Sequence, residues 1–508
     1  MKRLLGIILL LAAGTLAFFA LKSGSKSSVD TLTVYCAAGL KKPVEAAAAE
    51  YEKETGVKVA LQFGGTGTLL TQLRVARQGD LFIAADDGAL ADARKLEVVR
   101  EVLPMVVQYP VLAVAKGNPK GIRTLDDVMK PDIRAALPNP EAASAGKVAQ
   151  KLLGARWESL AQKAAVMKPT VTEIAADVKL GAADAAIVWN STVPQFEGVE
   201  AVEVPEFSKH RENASAAVLT SASSSVEALK FARYLAAPEQ GGQIFAAHGF
   251  TPAGGDKWAA KPELILYSGG VNRPAIEHLV QDFANREGIS VTTVFNGCGI
   301  LCAAMKTMGD SSNPKFPDAY YACDVCFVPP VAEHFPEAVL LTEAEIIIAV
   351  PKGNPKGIKT LADLARPGLR VGLCNAEQST LGFMTMGILT SMNLWDSVIA
   401  NASSQVPTGD FLVNQLRAGS LDAAVVYQIN IQHQAEHFDA IPLPADKAKA
   451  IQPFSVRKDS PNRELARRLL DHLKANRESF EKAGFVWTGD NKPIKSADIE
   501  LPEWLKQK

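Results

Sequence analysis

An excess of charge of either sign is the first thing missing from this chain. Its 508 residues carry 54 Lys and Arg against 55 Asp and Glu, a formal net charge of -1, so it casts no global field. A nucleic-acid partner would call for a basic excess or stripe, and none is found, so no nucleic acid is expected. Long apolar runs are missing too, except at the N-terminus, where Lys2 and Arg3 precede Leu4 to Leu21. That pattern is an export signal, at about the length where a signal peptide and a spanning anchor converge. No cysteine follows it immediately, so a lipid-anchored form lacks its attachment residue. None of the seven histidines has a context that makes it the base for a nucleophile such as Cys298, and Asp80, Asp86 and Asp87 read as turn formers or helix caps. No enzyme is expected.

What is present is present twice. Lys116-Gly-Asn-Pro-Lys-Gly-Ile-Arg-Thr-Leu-Asp-Asp127 returns as Lys352-Gly-Asn-Pro-Lys-Gly-Ile-Lys-Thr-Leu-Ala-Asp363, a spacing far beyond the roughly 20 to 50 residues of solenoid units. Val44, Ala47, Ala48 and Tyr51 fall at helical spacing before Gly56, then Val57, Val59, Leu61 and Phe63 alternate. Ile276, Leu279, Val280 and Phe283, then Gly288 and the alternation Ile289, Val291, Thr293, Phe295, repeat that grammar. Gly181 to Trp189 matches Gly419 to Tyr427, a turn feeding a buried strand. Strands alternating with helices predict an α/β fold with largely parallel sheets.

The expected organisation is a signal peptide or N-terminal membrane anchor plus tether over 1–30, a first domain over 31–256, and a Gly- and Pro-rich linker at 257–262. A second domain with a cysteine-rich cleft follows over 263–490, and a charged tail over 491–508.

Several loops share one chemistry: a strand end rich in Gly, Ala and Thr running into a helix. Such loops expose backbone N–H groups at a positive helix terminus, and their small side chains let a ligand approach the backbone. Dipoles alone can then hold an oxyanion. Leu32-Thr-Val-Tyr-Cys-Ala-Ala-Gly-Leu40, Phe63-Gly-Gly-Thr-Gly-Thr-Leu69, Gly79-Asp-Leu-Phe-Ile-Ala-Ala-Asp86 and Ile187-Val-Trp189 follow in that order. Together they resemble the periplasmic molybdate-binding proteins of ABC importers, over nearly all of the first domain and less closely over the second. The resemblance implies two tandem periplasmic-binding-protein-like domains of type II fold, each with two α/β lobes around a cleft. It also implies a small inorganic anion as ligand, molybdate or similar, an ABC permease in the membrane as partner, and no required cofactor. Carried over, the binding positions of the first domain are Gly39, Thr66, Ala85, Ala145, Val171 and Trp189, with Thr68 as a second hydroxyl donor. Gly39 stands where the family usually has serine and Trp189 where it commonly has tyrosine; an indole N–H donates but cannot accept. Core packing at a strand end is the alternative for Trp189. In the second domain the corresponding candidates are Ser268, Cys298, Cys323, Ser379 and Tyr427.

Aligning the halves sets Thr66 opposite Cys298, Leu70 opposite Cys302, Ala85 opposite Cys323, Gly88 opposite Cys326 and Pro138 opposite Cys374. The sixth cysteine, Cys36, lies in the first loop of the first domain. Three readings stay open for the five: disulfides such as Cys298 with Cys302 or Cys323 with Cys326, buried apolar fillers, or thiolate ligands for a soft metal. The leading expectation is an exported, periplasmic or extracytoplasmic solute-binding protein for an oxyanion. The rival is a thiol-based soft-metal or redox protein using the second cleft.

Overall fold

The computed structural model describes residues 31–309, 312–443 and 448–500. The expected export segment and the end of the tail lie outside them. The described chain divides into two compact units. The first runs to Leu235 and takes back Gly241–Ala253; the second holds Ala236–Gln240 and continues from Gly254.

In the first unit, the predicted stripe Val44, Ala47, Ala48 and Tyr51 is buried along helix Lys41–Thr55, and Gly56 ends it in the left-handed region at φ 77°. Burying that face packs the helix against the sheet in which strand Thr31–Ala37 pairs in parallel with Lys58–Gly64 and Leu81–Ala84. These three belong to a six-stranded sheet completed by Glu212–Leu219, Val99–Gln108 and Thr251–Pro252, all antiparallel to their neighbours. A five-stranded sheet forms the other lobe, in the order Val166–Lys168, Ala135–Pro138, Ala185–Trp189, Pro110–Ala115 and Val199–Val202. The sheets are therefore mixed rather than largely parallel. In the first sheet Glu212–Leu219 inserts between Leu81–Ala84 and Val99–Gln108 and runs against both, and in the second Pro110–Ala115 runs against Ala185–Trp189.

The second unit repeats the plan. Helix Arg273–Glu287 buries Ile276, Leu279, Val280 and Phe283 and ends at Gly288 with φ 67°. Here the crossing is a single strand, Glu337–Pro351. Its first half pairs with Lys449–Val456 in one lobe and its second half with Ala423–Tyr427 in the other. That shared strand makes the two lobes one eleven-stranded sheet. Two lobes joined by crossing strands give each unit the two-lobed α/β architecture expected from sequence.

Candidate functional site

Strand register assembles the first cleft. Ala37 pairs with Gly64, and Cys36 lies between Phe63 and Ile83, so three strands end side by side and release their loops at one edge. From the other lobe, helices Ser144–Leu153 and Val171–Lys179 and the end of strand Ala185–Trp189 approach the same point. The resulting cavity, about 20 Å³, is lined by segments 37–40, 64–66, 143–144 and 169–171 with Ala85, Gln108 and Trp189. None of these residues is charged. Helices Thr66–Ala76, Ser144–Leu153 and Val171–Lys179 all begin here, and first-turn amides have no partner inside their own helix. The wall is thus built of dipoles with their positive ends inward.

Of the candidates, Gly39, Thr66, Ala85, Val171 and Trp189 line this cavity together. Thr68 and Ala145 do not. Thr68 is exposed, because a residue two positions along a helix from Thr66 faces away from it. Ala145 is fully buried in the core behind the cavity, packed with Val111 and Ile174. Lys41 and Lys42 also stay off the wall; Lys42 Nζ donates to the Gln195 carbonyl at 2.7 Å. Sequence reasoning missed Gln108 and Ser144, which carry no loop motif and become visible only once the lobes meet. Gln108 Nε2 donates to the Ala85 carbonyl at 2.8 Å, while its Oε1 accepts from Ser191 Oγ of the other lobe at 2.8 Å. Ser144 Oγ donates to Asp86, whose other carboxylate oxygen caps helix Asp87–Lys95 through the Ala89 N–H at 2.8 Å. Burial raises the Asp86 carboxyl above its ordinary range, and the bonds from Ser144 and Ala89 partly offset this.

Glycine allows the lobes to meet. A Cβ on Gly65 would lie 2.4 Å from the carbonyl oxygens of Ala142 and Pro169, and the Gly67 N–H donates to the Ala142 carbonyl at 2.9 Å. The second unit repeats the contact: a Cβ on Gly297 would lie 2.2 Å from the Gln378 carbonyl oxygen, and the Ile300 N–H reaches that oxygen at 3.4 Å.

The second cleft has the same frame and different walls. Its cavity, about 10 Å³, is lined by Gly270, Val271, Asn296, Gly297, Cys323, Ser379, Leu381, segment 407–410, Tyr427 and Asn430. Of the candidates, Cys323, Ser379 and Tyr427 lie on this wall. Ser268 does not; it is fully buried beneath it, its Oγ donating to the Gly269 carbonyl at 3.3 Å. Cys298 is also fully buried, behind Cys323. Two exchanges of bulk separate the copies. The pair Ala37 and Ala85 becomes Gly269 and Cys323, and a Cβ on Gly269 would sit 2.2 Å from Cys323 Sγ. The facing pair Gly39 and Val171, where a glycine Cβ would meet Val171 Cγ2 at 3.2 Å, becomes Val271 and Gly409. One lining residue is now a carboxylic acid: Asp410, whose carboxyl is raised by burial and steadied by the Asn430 amide at 2.9 Å.

The cysteines do not gather as a metal centre. Among the described residues no three His, Cys, Asp or Glu side chains are placed to hold a metal ion, and all six thiols are free. The sequence-adjacent disulfides, Cys298 with Cys302 and Cys323 with Cys326, are not formed either. Helical geometry turns Cys302 toward the Phe327 carbonyl, at 3.5 Å. Cys326 starts a separate turn over Asp324, its N–H donating to that carboxylate at 3.0 Å. Cys374 ends a strand of the other lobe, where burial pushes its thiol up to about 12. The close pair is Cys298 and Cys323, with Sγ atoms 2.9 Å apart.

The chain is 30% identical over 225 residues to a Haemophilus influenzae protein named as a binding protein, covering 44% of this chain and 91% of that one. It is 28% identical over 251 residues to the molybdate-binding protein ModA of Escherichia coli strain K12, covering 47% and 96%. Among solved structures, the periplasmic molybdate-binding protein of Azotobacter vinelandii aligns with a TM-score of 0.37 and 18% identity over 43% of this chain and 98% of that one. A family model described as bacterial extracellular solute-binding protein matches residues 32–251 and again 264–486, so the chain belongs to that family, as a tandem pair.

Proposed function

We propose that this protein is an exported, non-catalytic receptor whose first cleft binds a small oxyanion of the molybdate or tungstate class and presents it to an ABC permease. The observation that carries this reading is the wall of the first cavity: helix starts and small side chains from both lobes, with no Lys or Arg among the lining residues. A dianion there is stabilised by oriented amides. Holding it without a fully paired cation keeps release to a permease within reach. Gly39, Thr66, Ala85, Val171 and Trp189 are the proposed contacts, with Gln108 and Ser144 holding the lobes around them. Lobe closure supplies ligand contacts that an open state does not have, which is what biases the hinge. The crossing segments, 108–110 in the first unit and Glu337–Pro351 in the second, are the proposed hinges.

The second cleft is proposed to have a different preference. Its Asp410 carboxyl opposes a dianion, and a thiol, a weak donor, replaces the Thr66 hydroxyl. Calorimetric titration of the full chain with molybdate, tungstate and sulfate tests the reading: one dianion should bind, at one site per chain. No heat from any of the three would overturn it.

A further inference from the structure

We propose that Cys298 and Cys323 form a redox-active dithiol that closes reversibly into a disulfide across two loops of the second cleft. The proposal rests on the geometry of the second unit and does not depend on which anion the first cleft binds.

Cys298 opens helix Cys298–Met308, and Cys323 lies just past strand Ala319–Tyr321. Parallel register places Ser268 beside both Phe295 and Tyr321, so the loops carrying the two thiols leave adjacent strand ends. The Sγ atoms stand 2.9 Å apart, closer than unbonded sulfur atoms ordinarily sit, and the Cys323 N–H donates to Cys298 Sγ at 3.0 Å. A second feature fixes the Cys323 side chain in this position. The space that a Cβ at Gly269 would fill is taken by Cys323 Sγ, at 2.2 Å, so the glycine is what lets the thiol lie against its partner. In the first unit the equivalent positions, Thr66, Ala85 and Ala37, hold no sulfur.

The local chemistry assigns roles. Burial alone would raise both thiols, but hydrogen bonds from Cys323 and Tyr320 outweigh it at Cys298 and pull that thiol below its ordinary value, while Cys323 is pushed well up. Cys298 is therefore the attacking thiolate. With a small-molecule disulfide as oxidant, Cys298 Sγ bonds to one of its sulfurs and expels the other as thiolate. Cys323 then gives up its proton to solvent, and its sulfur attacks Cys298 Sγ, displacing the second thiolate. The protein loses two protons and two electrons, and the oxidant becomes two thiols. Cys323 lines the cleft and Cys298 lies directly behind it, so lobe opening is the route by which the oxidant reaches the pair. Oxidation removes its S–H donor from the wall and ties together two of the loops that close there.

The test uses the full chain, purified with reductant, transferred anaerobically and treated with 2-hydroxyethyl disulfide. Samples are then acid-quenched, alkylated and mapped as non-reduced peptides. Cys298 and Cys302 fall on one tryptic peptide and Cys323 and Cys326 on another, so Cys302→Ser and Cys326→Ser variants are mapped as well. The expected result is loss of two of six thiols per chain, a crosslink between these peptides that survives in both variants, and its reversal by dithiothreitol. A crosslink that disappears in Cys302→Ser or Cys326→Ser, or six alkylated thiols after oxidant, would overturn the proposal. Fragmentation of the wild-type crosslinked peptide pair locates the bond at Cys298 and Cys323 within each peptide, so the test does not depend on a cysteine variant that fails to fold.

Discussion

Ser144 Oγ donates a hydrogen bond to Asp86 from the opposite lobe of the first unit, at a carboxylate already engaged in capping a helix. The bond does two things at once: it satisfies a buried acceptor and it holds the lobes together. Removing the hydroxyl leaves part of a buried, partly charged group without its partner, a loss of about 1–3 kcal/mol. Ser144→Ala should therefore lower the urea midpoint and weaken dianion binding together. The pH dependence has a definite sign. Burial raises the folded-state Asp86 pKa, so its contribution to stability is full below the unfolded carboxylate value and is lost as pH rises through the folded value. The variant should move that loss to higher pH, read from urea unfolding across a pH series. An unchanged midpoint at every pH would show that the bond contributes nothing.

The two glycine contacts predict a separation of closure from folding. Gly65 has an ordinary extended backbone, φ -64°, so alanine there costs little in the isolated lobe but drives a Cβ into two carbonyl oxygens when the lobes meet. Gly65→Ala should reduce dianion affinity more than tenfold, about 1.4 kcal/mol or more, and leave the protein more extended in small-angle scattering. Retained affinity would mean that the lobes need not approach this closely to bind.

Thr66 and Thr68 should behave differently, although the sequence offers them as alternatives. Thr66 is buried on the cavity wall and Thr68 is exposed. Thr66→Val should weaken dianion binding roughly tenfold, the scale of one hydrogen bond to a charged ligand, and Thr68→Val should leave it unchanged. Equal effects in calorimetry would refute this placement of the loop.

A fourth prediction concerns Asp256, in the segment read from sequence as a linker boundary. Its two carboxylate oxygens accept the Glu464 and Leu465 N–H groups at 2.7 and 2.8 Å, at the start of helix Arg463–Ala475. Burial nonetheless raises its pKa from 3.8 to about 6, against the pull of Arg468 and those amides. Its contribution is thus present below about pH 4 and lost as pH rises through about 6, on the order of 3 kcal/mol in all. Asp256→Asn should flatten stability against pH between those values. A slope that survives the substitution would assign it to another group.

The buried pair of Arg468 and Glu287 gives a fifth. Arg468 Nε and Nη2 donate to the two Glu287 oxygens at 2.7 and 3.1 Å, and Glu287 is fully buried. Neutralising one partner leaves a desolvated charge, so Glu287→Gln should cost about 3 kcal/mol or more in denaturant unfolding. A loss below 1 kcal/mol would show that neighbouring acids take over the guanidinium.

Much of the frame was legible because it is local. The stripe from Val44 to Tyr51 and its copy from Ile276 to Phe283 are both buried, and Gly56 and Gly288 end their helices in the left-handed region, because helical periodicity and the missing Cβ act over a few residues. Strand direction was not legible: the sequence predicts largely parallel sheets, but direction depends on which sheet a strand joins, and Glu212–Leu219 joins the first antiparallel to its neighbours. The cleft was legible only in part. Gly39, Thr66, Ala85, Val171 and Trp189 come from the family resemblance, all but Val171 within its motifs, whereas Gln108 and Ser144 reach the site from strand and helix positions with no motif of their own.

The sequence by itself determined the duplication, the alternation of strands and helices, and the uncharged, small-residue loops at strand ends, since these follow from spacing and side-chain size. It could not determine which cysteines meet. Neighbours in sequence, Cys298 with Cys302 and Cys323 with Cys326, are turned apart by helix and turn geometry, and the register of parallel strands brings Cys298 to Cys323 instead. Contacts between distant loops are set by how strands pair and lobes close, and that information resides in the packing of the whole unit.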